Sequence, residues 1–346
     1  MSASSATLVP PEELKKAQDL AASVLATLDE ILLGRADFHR MVLVGILSRG
    51  HILLEGVPGV GKTALIKALG DILALDFKRV QFTPDLMPGD ILGSHILQEK
   101  SSGEREMVFQ PGPVFANILL ADEINRASPK TQSALLEAMQ ERSVTLLGTT
   151  RPLPDPFFVL ASQNPIELEG TYPLPEAQLD RFLMKLLVTE PATEVLEAII
   201  TGRRRGEPPQ PRRRLERQEL NELLAVMERI FLPKPVARFI ARLVAASHPG
   251  AAEAPTAVRD YVSFGASPRA AIAMAEAGRA HALVAGRPTV GFEDVEAVAP
   301  PVLRHRLITN YKARFDGITP DGVVAELLAK VEASGVELPD HVEVAS

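Results

Sequence analysis

The chain has 346 residues, a formal net charge of −7 and no cysteine. This excludes a disulfide framework, Cys-ligated zinc, an iron–sulfur cluster and a cysteine nucleophile, and it argues against a globally basic nucleic-acid binder. Tryptophan is absent and aromatics make up 5%, which disfavours stacking platforms for single strands.

The length fits about two domains. No apolar run is long enough for a membrane-spanning helix, so no membrane insertion is expected. The first ten residues lack the basic and apolar segments of a signal peptide, and the expected location is cytoplasmic. Apolar residues at helical spacing predict a helix over 11–33, ended by Gly34, and a second over 37–48. The run 51–55 reads as a buried strand, 63–74 as a helix and 79–82 as a strand. A strand over 118–121 ends in two acids. A helix over 128–141 follows, with Ser128 as cap and Pro129 in its first turn. Strands over 157–161 and 183–188 complete an alternation that predicts a parallel α/β sheet covered on both faces. After Thr189 the composition changes. The Arg- and Pro-rich stretch 202–217 reads as an exposed linker, and 220–328 shows helical periodicity only. The arginine runs 203–205 and 212–214 suit a solvated linker or contact with nucleic acid or an acidic partner. Residues after Pro339 read as a loose tail. The boundaries expected from this are an N-terminal helical segment 1–34, an α/β core 35–190, a linker 191–218 and a helical domain with its tail over 219–346.

The segment Gly56, Val57, Pro58, Gly59, Val60, Gly61, Lys62, Thr63 matches G-x-x-x-x-G-K-[ST], between a strand and a helix. Glycines let successive backbone N–H groups converge on a phosphate, and the helix N-terminus adds its dipole. Lys62 supplies a point charge for the β/γ oxygens, and Thr63 a hydroxyl for Mg²⁺. Asp122 stands at a strand's carboxyl end, where a carboxylate holds Mg²⁺, and the adjacent Glu123 suits orientation of an attacking water. The seven histidines show no metal-binding spacing.

The blocks GVPGVGKT (56–63), ILLADEINRA (118–127), QSALLEAMQER (132–142), ASQNP (161–165), YPLPEAQLDRF (172–182) and GASPRA (265–270) resemble, in this order, the MoxR family of AAA+ ATPases. The resemblance implies a P-loop NTPase AAA+ core, a parallel sheet flanked by helices with two β-hairpin inserts, plus a smaller all-helical lid. It places Asn164 at the sensor-1 position, although an Asn before Pro165 also suits a plain turn. It makes Arg181 an arginine finger acting on the neighbouring subunit, against the alternative of an ion pair with Asp180 or Glu176. Arg126 stands between a second trans contact and an exposed helix-start residue. Arg269, after the cap Ser267 and Pro268, takes the sensor-2 position, projecting toward the γ-phosphate and linking nucleotide state to lid angle. The alternative is a surface arginine. Residues 31–35 resemble the segment that contacts adenine, with ordinary helix-end packing as the alternative. The inserts are a hairpin over 87–113 with its turn at Ser102-Gly103 and another over 144–153 with its turn near Gly148, either pressing on a protein partner or merely elaborating the fold.

The expected function is a Mg²⁺-dependent ATPase working as a homo-oligomeric ring, most simply a hexamer, since a trans arginine needs a heterologous neighbour. The family implies a chaperone-like remodeller that matures a protein complex, often by metal or cofactor insertion with a von Willebrand A-domain partner. A nucleic-acid motor and a non-hydrolysing, nucleotide-gated scaffold are the alternatives. The acid balance argues against the first and the full set of ATPase residues against the second.

Overall fold

The computed structural model describes residues 8–57, 59, 61–99, 105–164, 170–203, 209–211 and 213–331. Pro58, Val60, the turn at Ser102-Gly103, three arginines of the two runs (Arg204, Arg205 and Arg212) and the tail after Pro339 lie outside them. Helix α1 (Pro11–Ile31) and helix α2 (Ala36–Leu47) precede β1 (Ile52–Glu55), α3 (Lys62–Ile72) and β2 (Phe77–Gln81). Next come α4 (Pro88–Leu92), the hairpin β3 (Gly93–Glu99) and β4 (Arg105–Pro111), then β5 (Ile118–Asp122) and α5 (Pro129–Glu141). A second hairpin, β6 (Ser143–Leu146) and β7 (Thr149–Pro152), leads to β8 (Phe158–Gln163), α6 (Glu176–Leu179) and β9 (Met184–Leu187).

The sheet order is β2-β5-β8-β1-β9, every neighbouring pair parallel. Side chains of a strand alternate between faces, and in the inner strands β1, β5 and β8 both faces are buried. Ile52, Leu54, Ile118, Leu120, Phe158 and Leu160 face a core built with α1, α2, α3 and the helical lid. Leu53, Leu119, Ala121, Val159 and Ala161 face a second core with Leu135, Leu136 and Met139 of α5. Continuous apolar runs are what such strands require, which is why these three were readable in the sequence. Ser128 caps α5 as expected, its hydroxyl accepting from the Thr131 amide at 3.4 Å.

The second unit contains α8 (Arg217–Glu228), α9 (Lys234–Ala246), α10 (Thr256–Tyr261), α11 (Pro268–Val284), α12 (Phe292–Leu303), α13 (Tyr311–Phe315) and α14 (Pro320–Lys330). It packs on α1, α2 and β9, so the N-terminal helix is shared by core and lid. Two expectations need correction. The stretch read as linker begins with a helix, α7 (Thr193–Gly202), and Leu215 within it is 2% exposed, its amide donating to the Ile72 carbonyl at 2.6 Å. An Arg/Pro-rich composition hid one buried anchor. The helical unit also contains a small antiparallel pair, β10 (Val262–Phe264) and β11 (Ile308–Thr309), too short to produce a period in the sequence.

Candidate functional site

The phosphate-loop glycines are required for two different physical reasons. Gly59 and Gly61 have φ of +82° and +88°, with open space where a Cβ would stand, so conformation alone demands glycine. A Cβ on Gly56 would lie 2.4 Å from the Val188 carbonyl, so there the demand is close approach to β9. Gly61 is the N-cap of α3, which places Lys62 and Thr63 in its first turn. The Lys62 ammonium donates to the Gly56 carbonyl at 2.7 Å. Burial lowers its pKa from the ordinary value, an effect that the Asp122 and Glu123 carboxylates oppose.

Gly59, Gly61, Lys62, Thr63, Asp122, Glu123 and Asn164 line one cleft at the carboxyl ends of the parallel strands. Ligands of open α/β sheets bind at such an edge. The Asp122 carboxylate, 9% exposed, is held on both oxygens: the Ser162 hydroxyl donates to Oδ1 at 2.5 Å, and Arg79 donates to Oδ2 at 2.7 Å. Glu123 has φ +56°, a left-handed conformation uncommon for this residue type, and its amide donates to the Ser162 hydroxyl at 2.9 Å. Its carboxylate accepts from Gln81 at 2.7 Å and Arg126 at 2.9 Å. Arg126 therefore meets the carboxylate of its own subunit, with its side chain 42% exposed. Asn164 is buried at the end of β8. One carboxylate, one hydroxyl and room for phosphate oxygens form a donor set suited to Mg²⁺.

A second cleft adjoins the first and shares Gly59, Gly61 and Lys62 with it. Its apolar walls come from Leu32, Leu33 and Phe38 on one side, Leu65 on another, and Val195, Leu196 and Ile199 of α7 on the third. The base-contacting segment inferred at residues 31–35 is thus half of a wall. The other half is the helix that sequence reasoning took for linker. Arg203 fixes that helix by donating to the carbonyls of Ile31 at 2.7 Å and Glu30 at 3.0 Å.

Arg181 and Arg269 are not in either cleft. They line a third one, with Arg49, Arg142 and Arg306. Arg269, expected to project toward the γ-phosphate, does not line the phosphate-loop cleft of its own subunit. The first turn of α11 instead points to the turn after α6, where Arg269 lies 3.6 Å from Asp180 and the capping Ser267 hydroxyl donates to Asp180 at 2.9 Å. Arg181 donates to the Leu136 carbonyl at 2.9 Å, and its Nε has no partner among the described residues.

Arg79, Gln81 and Ser162 went unnoticed in the sequence. Arg79 and Gln81 alternate along β2, and the register places Gln81 opposite Asp122. Polar residues at period two, at the end of an edge strand beside the acidic strand, were the available signal.

Comparison with known proteins agrees with the geometry. The ATPase family associated with various cellular activities (AAA) matches residues 51–184, and the AAA lid domain matches residues 254–327. The chain is 44% identical over 336 residues to a Mycobacterium tuberculosis protein named Chaperone MoxR1, covering 95% of this chain and 87% of that protein. It is 33% identical to the Paracoccus denitrificans protein named MoxR, over 85% of this chain and 91% of that one. A crystal structure of a candidate ATPase from Cytophaga hutchinsonii superposes with a TM-score of 0.83 at 38% identity, over 93% of this chain and 97% of that one. A phosphate loop on a five-stranded parallel sheet, a helical lid and relatives of this extent together make the chain a member of the MoxR family of AAA+ ATPases.

Proposed function

We propose that the protein is a Mg²⁺-dependent ATPase that acts as a ring-shaped, chaperone-like remodeller of a protein complex. The observation that carries this reading is the convergence of Lys62, Thr63, Asp122, Glu123 and Asn164 on one cleft beside the phosphate loop. The loop amides at Gly59 and Gly61, the α3 N-terminus and Lys62 bind the phosphates of ATP. Thr63 and Asp122 hold Mg²⁺, which when bound neutralises charge on the β and γ phosphates. Glu123 orients the attacking water and takes its proton, and Asn164 positions that water against the γ-phosphate. Ser162 and Gln81 keep the two carboxylates apart and aimed.

Arg181 and Arg269 act together on the nucleotide of the adjacent subunit. Their shared cleft, away from their own phosphate loop, favours action in trans for both. Such heterologous contact closes into a ring, and a hexamer is the simplest form. The hairpins carry exposed Ile96, Leu97 and Met107, and Leu147 is 79% exposed at the second turn, which suits pressure on a protein client. The 44% identical relative is named a chaperone. Following the family resemblance, the client complex is one matured by metal or cofactor insertion with a von Willebrand A-domain partner.

The test is Glu123→Gln in the full chain. Expected are ATP binding within a few-fold of wild type and turnover reduced about 10²-fold or more. ATP-dependent capture by this variant of a von Willebrand A-domain protein supports the client assignment. Turnover unchanged by the substitution overturns the assignment of Glu123, and capture of nucleic acid alone overturns the client reading.

A further inference from the structure

His39, near the start of α2, forms part of the floor of the apolar cleft that continues from the phosphate loop. The ring is fully buried. Its Nδ1 lies 2.6 Å from Oδ1 of Asp29, on the last turns of α1. Its Nε2 is buried and has no hydrogen-bond partner among the described residues. Buried polar atoms without partners are rare because the lost hydration is not replaced, and a ligand group is one way the deficit is met. A carboxylate only accepts, so Asp29 selects the tautomer in which Nδ1 carries the proton. Nε2 is then the acceptor of the ring, and the residue borders a cleft whose other walls, Phe38, Leu65, Val195 and Leu196, suit a flat apolar ring.

We propose that His39 is the base-reading residue of this ATPase: Nε2 accepts a hydrogen bond from the exocyclic 6-amino group of a purine nucleotide, with Asp29 fixing the tautomer. A 6-oxo purine would set a carbonyl oxygen against the same lone pair and leave both unpaired, so the site discriminates between adenine and 6-oxo purines. The inference rests on the ATPase reading for the placement of the base and adds the chemistry by which the base is recognised.

The experiment measures dissociation constants of the full chain for ATP, purine riboside triphosphate, which lacks the 6-amino group, and inosine triphosphate, which carries a 6-oxo group. ATP should bind about three- to tenfold tighter than purine riboside triphosphate, with inosine triphosphate weaker than both. In His39→Leu the ratio between ATP and purine riboside triphosphate should fall to about one, and His39→Gln, whose amide reaches the position of Nε2, should restore part of it. Equal binding of ATP and purine riboside triphosphate by the unsubstituted chain overturns the proposal without reliance on any variant. So does a ratio unchanged in His39→Leu. Binding of no triphosphate at all overturns the ATPase reading as well, so the two failures are distinguishable.

Discussion

Arg306 of the lid lies 2.8 Å, Nε to Oδ1, from Asp180 of the core, and this pair joins the two units beside the turn that carries Arg181. The guanidinium is nearly fully buried and also donates to the carbonyls of Phe182, Leu183 and Val302. Asp180 in turn accepts from Ser267, the cap of the helix that carries Arg269. One carboxylate therefore sets the spacing of both arginines. It also ties the lid to the face proposed to meet the next subunit.

Removing Arg306 takes from Asp180 its buried ion-pair partner, leaving it Ser267 and Arg269, and takes a donor from several carbonyls. Arg306→Ala is expected to destabilise the chain by about 3–5 kcal/mol. Arg306→Lys should recover little of this, because a point charge cannot reach carbonyls in several directions. Urea denaturation followed by circular dichroism measures both, and a full rescue by lysine would show that charge alone is required.

The two hairpins are also joined. The Arg151 guanidinium on β7 lies 4.0 Å from the ring centroid of Phe109 on β4, and Phe109 packs on Phe115. Arg151→Ala should lower stability by about 0.5–1 kcal/mol, a thermal shift of a few degrees at most, with basal ATPase activity within twofold of wild type. The larger effect is expected on stimulation of ATPase activity by a client protein, because uncoupled hairpins no longer press as one body. Stimulation equal to wild type would show that the hairpins act independently.

His51 makes the fold pH-dependent. Its Nδ1 accepts from the Val159 amide at 3.0 Å and its Nε2 faces the Met139 carbonyl at 3.2 Å, so the neutral ring joins β8 to α5. Burial pushes its pKa down from 6.5 to about 4, with Arg142 adding to the effect. Burial also holds His305 well below the ordinary value. A folded pKa below the unfolded one means that the unfolded chain binds more protons between the two values. Stability is thus complete above about pH 6.5 and is lost as the pH falls toward 4, by on the order of 3 kcal/mol for His51. Urea midpoints at pH 7.5 and 5 should show this loss, and His51→Gln should reduce the slope without abolishing it, since His305 contributes in the same direction.

Much of this was legible in the sequence, and the exceptions have physical causes. The inner strands β1, β5 and β8 are buried on both faces, so each appears as an apolar run, and the phosphate loop is fixed by positive φ at Gly59 and Gly61. The contact of Arg269 with Asp180 was not readable, because its helix start is legible from Ser267 and Pro268, whereas the direction of that helix depends on Asp180, 87 residues from Ser267. Helix α7 has an apolar face, but it lies against the nucleotide cleft and has no buried residue, so its periodicity marked nothing certain. Arg79 and Gln81 matter only through register with Asp122, a pairing that no local pattern contains.

The trans reading of Arg181 and Arg269 can be decided by mixing subunits. Arg181→Ala leaves an intact phosphate loop, and Lys62→Ala leaves an intact arginine cleft, since the two residues line different clefts. Each variant alone should have turnover reduced about 10³-fold, the value of an arginine supplied to phosphoryl transfer. In a ring assembled at random from equal amounts, a site is competent when one subunit keeps Lys62 and its neighbour keeps Arg181, which holds for about one site in four. Mixed rings should therefore recover about a quarter of wild-type turnover. The same mixture with Arg269→Ala in place of Arg181→Ala should recover a similar share. Arginines acting within their own subunit would give no recovery, because every chain would then carry a defect at its own site. Recovery with Arg181→Ala but not with Arg269→Ala would return Arg269 to its own phosphate loop. That would require the lid to rotate α11 away from Asp180 when nucleotide binds.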